Sequence, residues 1–181
     1  APGGQPRLSL AYEFADTEVR LVRTLPPVLN ARGHAVLEGK TYTATLNQGH
    51  VIAPEGGRIE ADGTVFQISD ITERPMLARI ELVSSSSLTA TLSLLDQEPF
   101  SFFSKAGQPY NLGDGRAELR STLLMPIKPK ISLEEVEFNV EGRIVDFTSP
   151  SLVAGRLLTS KEVKVLVNTE GLTLSGVGKL D

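Results

Sequence analysis

The feature that most limits what this chain can fold into is a rhythm. Short runs of alternating apolar and polar residues are broken every few positions by glycine, proline or asparagine. In RLSLAYEF, Leu8, Leu10, Tyr12 and Phe14 fall on one side, and Arg7, Ser9, Ala11 and Glu13 on the other. Strand side chains point alternately to opposite faces, so a period of two predicts a strand with one face buried. The opening APGGQP reads as loop. TEVRLV keeps the alternation, with Val19 and Leu21 on one side and Arg20 on the other.

Pro26-Pro27 cannot lie in a central strand, because proline donates nothing to a ladder. NARG then reads as a turn, and the next strand starts near Gly33. GHAVLEGKTYTATL, GHVIA, GRIEADG and TVFQIS follow, bounded by Gly39, Asn47-Gln48-Gly49, Pro54-Glu55-Gly56-Gly57 and Asp62-Gly63. Turn residues this frequent predict a β-meander. PMLARIELV adds a strand with Met76, Ala78, Ile80 and Leu82 in step. After it the period changes. Leu88, Leu92 and Leu95 stand at helical spacing, with Ser86 or Ser87 as N-cap. Leu88, Ala90, Leu92 and Leu94 also alternate, so a strand competes with the helix. Glu98-Pro99 punctuates, and FSFFSKAG suits a second short helix.

The strand pattern returns in GRAELRSTLLMPI, followed by a proline-rich link from Pro126 to Pro129. LEEVEFNVEGRIVDFTS, GRLLTS, KEVKVLVN and LTLSGVGKL complete the chain, with a turn at Thr169-Glu170-Gly171. Val163, Val165 and Val167 alternate, as do Leu172 and Leu174. The expected fold is mainly β: an elongated, twisted and curved antiparallel meander forming a half-pipe or groove, with one or two short helices near 86–106. Residues 1–181 read as one β-rich segment. Within it, two loosely repeated halves (about 7–85 and 115–181) are joined by the helical link 86–106.

Chemistry leaves little trace. There is no cysteine, which excludes disulfides and thiolate nucleophiles or ligands. His34 and His50 are the only histidines. Each reads as a half-exposed strand residue, since no GxSxG elbow, HExxH or phosphate loop accompanies them. Glu134, Glu135, Glu137, Asp70 and Asp96 show no acid/base spacing. EADGT lacks a calcium-loop pattern and reads as a hairpin turn. The net charge of −4, with acids and bases mixed, gives no basic face for phosphates, so nucleic acid is not an expected partner. No enzyme activity, cofactor or metal is expected. Hydrophobic residues at 40% suffice for a core. Leu8, Leu10, Tyr12, Phe14, Val163, Val165, Val167, Leu172 and Leu174 either fill that core or line an apolar groove. Alternation alone serves both.

A family likeness sharpens the choice. LPPV, the strand from Gly33, TYTATLNQGHV, GGRIEADGTVFQISD, RIELVSSSSL, LSLLDQEPFSFFSKAGQP, GDGRAELRSTLLMPI and VLVNTEGLTLSGVGKLD occur in that order. Together they resemble the middle region of the AsmA-like envelope proteins, in the YhdP branch and more distantly TamB. The likeness runs from about Arg20 to Leu180. It departs where Gln97-Glu98-Pro99 replaces a common Pro-Pro pair, and where Ile127 follows Pro126. The resemblance implies a periplasmic segment of a Gram-negative protein anchored in the inner membrane by a helix outside this stretch. It implies an apolar concave face that conducts phospholipid between inner and outer membrane. Under that reading the nine residues above contact lipid or another apolar ligand. The chain, which starts APGGQPR without Met, reads as part of a longer protein. Strand edges left open at its two ends would favour edge-to-edge self-association.

Overall fold

The computed structural model describes residues 7–20, 23–107 and 109–181. The opening APGGQP, Leu21, Val22 and Gln108 lie outside the described residues. One antiparallel sheet of ten strands contains β1 (Ser9–Val19), β2 (Val28–Glu38), β3 (Thr41–Ile52), β4 (Arg58–Glu60) and β5 (Val65–Ile68). It continues through β6 (Leu77–Ser87), β7 (Asp114–Pro126), β8 (Glu137–Val153), β9 (Arg156–Asn168) and β10 (Gly171–Leu180). Each strand pairs with its neighbour in sequence, except that β4 and β5 share the place between β3 and β6. The result is an open meander with β1 and β10 at its edges. Helices α1 (Leu88–Leu95) and α2 (Phe102–Ala106) are inserted between β6 and β7. The mainly β architecture with short helices in the expected link is therefore found.

Several turns expected from the sequence are bulges instead. NARG does not reverse the chain, because β2 runs through it. Asn30 takes a left-handed φ of 51°, which asparagine tolerates better than most residues. Leu29 lies opposite His50 and Arg32 opposite Gln48, so β2 carries an extra residue there. Gly33 then lies opposite Leu46, so Asn47 is the compensating extra residue on β3. The expected turn at Asn47-Gln48-Gly49 is thus a second bulge inside a strand. On β1, Asp16 at φ 52° bulges against β2 in the same region. Clustered bulges increase local twist. The true hairpin turn is at Gly39, with φ 61°. Two further boundaries differ. Leu133–Glu135 form a 3-10 turn rather than strand, and GRLLTS and KEVKVLVN are one strand, β9.

β6 pairs with β7 along its full length, from Leu77 opposite Pro126 to Ser87 opposite Arg116. The two halves therefore share one sheet, and the link between them must leave the plane. Ser87 makes that exit. Its hydroxyl accepts the Ala90 amide at 3.1 Å, capping α1, and donates to the Gly56 carbonyl at 2.9 Å. Ser93, 1% exposed, accepts the Glu55 amide at 3.2 Å and lies 3.0 Å from the Glu55 carbonyl oxygen. Gly56 has φ +80°, and a Cβ there would overlap the Ala90 amide. Helix α1 is thus fastened to the turn after β3. Asp96 extends the fastening, accepting the Phe103 and Ser104 amides at 3.1 and 2.8 Å to order the start of α2.

Three apolar clusters follow from this placement. Leu88 packs with Ile144, Phe147 and Val163. Ala90 packs with Ala53 and Ile59. Ile80 and Met125 pack with Val136 from the link before β8. Leu88 is the one α1 side chain fully buried in the first cluster, 4% exposed. Leu88→Ala is expected to cost about 2–4 kcal/mol. Chemical denaturation would measure it, and a loss well under 1 kcal/mol would mean that α1 is not seated as described.

Candidate functional site

Cross-strand partners in an antiparallel sheet point to the same side, so register traces each face across the whole sheet. Tyr12 lies opposite Ala35, Ala35 opposite Ala44, and Ala44 opposite Phe66. Phe66 lies opposite Ile80, Ile80 opposite Leu123, and Leu123 opposite Phe138. From Leu119, two pairs along β7 from Leu123, the same face passes to Gly142, then Val165, then Leu174. Val140, Val167 and Leu172 form a parallel row. One apolar face therefore runs from β1 to β10. The nine residues singled out from the sequence lie on this single face, at its two ends.

They do not share one environment. The middle is covered. Leu88 and Leu92 of α1 pack over Ile144 and Val163, with Val165 alongside, and Phe102 lies over Phe138 with ring centroids 5.7 Å apart. Val163 is therefore buried and out of reach of a ligand, which corrects its expected role. Val165 and Val167 are half-buried. The flanks are open. Leu8 is 62% exposed, Leu10 52% and Leu172 52%. This corrects the expectation that RLSLAYEF buries its apolar side. An edge strand has a neighbour on one side only, and no helix reaches over β1. Of the apolar residues expected to be buried in RLSLAYEF, only Phe14 is half-buried, its ring resting over Gly33, where a Cβ would come within 2.8 Å of Cζ.

The open N-terminal flank carries a polar pair that alternation did not point to. The Tyr12 and Tyr42 hydroxyls lie 2.8 Å apart, with the Tyr42 ring edge-on to Phe66 at 6.3 Å. Burial, reinforced by the bond to Tyr12, pushes the Tyr42 phenol up to about 12. The only sequence signal was a tyrosine in each of two alternating runs, and their alignment requires the register of two strand pairs.

The opposite face is polar. A depression of about 1020 Å³ lies there, lined among others by Glu118, Arg120, Glu141, Arg143, Glu162 and Lys164. Arg143 bridges Glu118 at 2.8 Å and Glu162 at 3.4 Å. The Arg143 hydrogen bond is the main reason the Glu118 carboxyl stays below its ordinary range. His34 is exposed on this face opposite Glu13. His50, by contrast, is 7% exposed. It sits inside β3 between Leu29 and Glu60 rather than after a turn. Among the described residues, no group of three or more Asp, Glu or His is placed to hold a metal ion, and no helix is long and apolar enough to cross a membrane.

Comparison with protein-family models, with curated proteins and with solved structures found no match.

Tyr42 offers a direct check on the pair. A phenol held more tightly in the folded chain contributes stability that is whole below the unfolded value of about 10. That contribution is lost as pH rises through about 12. In a Tyr110→Phe background, Tyr12→Phe is expected to let Tyr42 ionise at lower pH, read by ultraviolet phenolate absorbance. An unchanged titration would mean the hydroxyls do not meet.

Proposed function

We propose that this chain is a segment of an AsmA/YhdP-like periplasmic protein that contributes to phospholipid transport between inner and outer membrane and to envelope integrity. It works without chemistry, by offering acyl chains a dry surface. The observation that carries the reading is the single apolar face spanning the sheet, with leucines left open on both flanks. Exposed apolar surface of this kind marks an interaction site more often than an accident of folding. An acyl chain gains about 0.8 kcal/mol for each methylene removed from water, so even part of a chain laid along Leu8 and Leu10 is held. The motif order LPPV to SGVGKLD supports the family assignment.

The contact residues retained are Leu8, Leu10, Tyr12 and Phe14 at one end, and Val167, Leu172 and Leu174 at the other. Radiolabelled phospholipid is expected to bind the purified chain, and Leu10→Glu combined with Leu174→Glu to lower binding at least tenfold. Equal binding by both proteins would sink this assignment of the contacts.

A second reading has its own observation. β1 and β10 each pair on one side only, and all of β10 is exposed. Unpaired edges accept added strands. A spacer or strand-addition module, self-associating edge to edge, fits this feature. Light scattering coupled to size exclusion is expected to show a mass that rises with concentration. A strict monomer at high concentration would remove the second reading.

A further inference from the structure

The open N-terminal flank is amphipathic in a specific way. Tyr12 and Tyr42 reach across β2 from β1 and β3, and their hydroxyls meet above Ala35 and Leu37. Ala35 is fully buried and has only a methyl group, which leaves room for the rings to converge. Two of the chain's three tyrosines are spent here. The pair has two hydroxyl hydrogens, and the mutual bond uses one. Whichever oxygen donates, the other keeps a free O–H, polarised by the bond it accepts. That remaining donor borders a leucine surface: Leu8 and Leu10 run one way along β1, and Phe14 the other. Tyr42 holds its proton through the neutral range, so the donor is present at physiological pH.

We propose that this flank is a lipid-binding subsite in which the Tyr12–Tyr42 hydroxyl pair donates a hydrogen bond to an ester oxygen of a glycerophospholipid whose acyl chain lies along Leu8 and Leu10. The assignment rests on the reading of the apolar face as a lipid surface and gives it a polar determinant. A mere cross-strand clip would need no open leucines beside it. A purely apolar track would gain nothing from two hydroxyls that must be desolvated when a chain covers them. A ligand carrying both an alkyl chain and an acceptor satisfies the two features together. The subsite therefore discriminates between amphiphiles and plain hydrocarbons, a property that leucines alone do not confer.

The test compares wild-type protein with Tyr12→Phe/Tyr42→Phe using two probes. One is a short-chain phosphatidylcholine kept below its micellar concentration. The other is N-phenylnaphthylamine, an apolar dye without an ester. The double variant keeps both rings and is expected to bind the phospholipid about fivefold more weakly, the loss of one net hydrogen bond. Dye binding is expected to stay within about twofold. Unchanged phospholipid affinity with dye binding intact overturns the subsite and leaves the apolar-face reading standing. Equal losses for both probes overturn it too, since the hydroxyls would then act only through packing. If wild-type protein binds neither probe, the apolar-face reading fails and the subsite with it. Should the double variant melt early, both probes are titrated at a temperature where circular dichroism shows it folded, and the same outcomes decide.

Discussion

The unbroken pairing of β6 with β7 is the contact on which the rest depends. Every residue from Leu77 to Ser87 has a partner on β7, so the segment between the two strands cannot remain in the sheet. It folds back over one face, and the choice of face is settled at its first residues. Ser86 is buried on the apolar side, Ser87 caps the helix, and Leu88 turns back onto Ile144 and Val163. Had the link crossed the other side, Leu88 and Ala90 would meet the ion pairs of Arg143 rather than apolar side chains. Covering those pairs would cost the desolvation of their charges, which apolar side chains do not repay. The helix therefore lies on the apolar side, and the division of that side into covered middle and open flanks follows.

Much of this was legible in the residues. The change of period at Leu88, Leu92 and Leu95 marks a helix because only a 3.6-residue repeat brings those three together, and Ser87 supplies the cap at its start. The alternation of Val163, Val165 and Val167 gave a correct face. What alternation could not give was depth. Leu8 and Val163 look alike in sequence, yet one is open and the other buried, because depth depends on which strand lies at an edge and where the link lands. Asparagine misled for a related reason. Asn30 and Asn47 suit turns, and at Asn30 the bulge draws on the same tolerance of a left-handed φ that a turn would use. A turn and a bulge differ only in whether the strand has a partner on the far side, which is not a local property. His50 follows from the same error: with Gly49 inside a strand rather than at a turn, the imidazole sits within the sheet.

The two faces also divide the labour of keeping the chain in solution. The polar face carries paired charges in cross-strand rows, such as Arg116, Glu118, Arg143 and Glu162. Such pairs add little stability when exposed to water. Their value here is that a wide sheet with one open apolar side remains hydrated on the other. The edges are blunted by similar means. Asp16 bulges on β1, and β10 carries Lys179 beside a bulge that lies on its partner β9, at Lys161 and Glu162. Bulges and charges at an edge oppose indiscriminate strand addition.

The fastening of α1 bears on how an apolar ligand could use this face. A chain running from the β1 flank to the β10 flank would have to lift Leu88 and Leu92 from their seats. Exposing buried Leu88 and half-buried Leu92 costs at most about 3–6 kcal/mol, the figure for two full burials. That matches the gain from burying about four to eight methylenes, before the Ser87 and Ser93 hydrogen bonds are broken. A ligand confined to one flank bears none of this cost. With α1 seated, the physics favours two separate apolar shelves over one uninterrupted track. Passage between them would then require a partner or a neighbouring segment able to offset the displacement of α1. The polar marker on only the first shelf, the Tyr12–Tyr42 pair, further separates the two shelves in what they would hold.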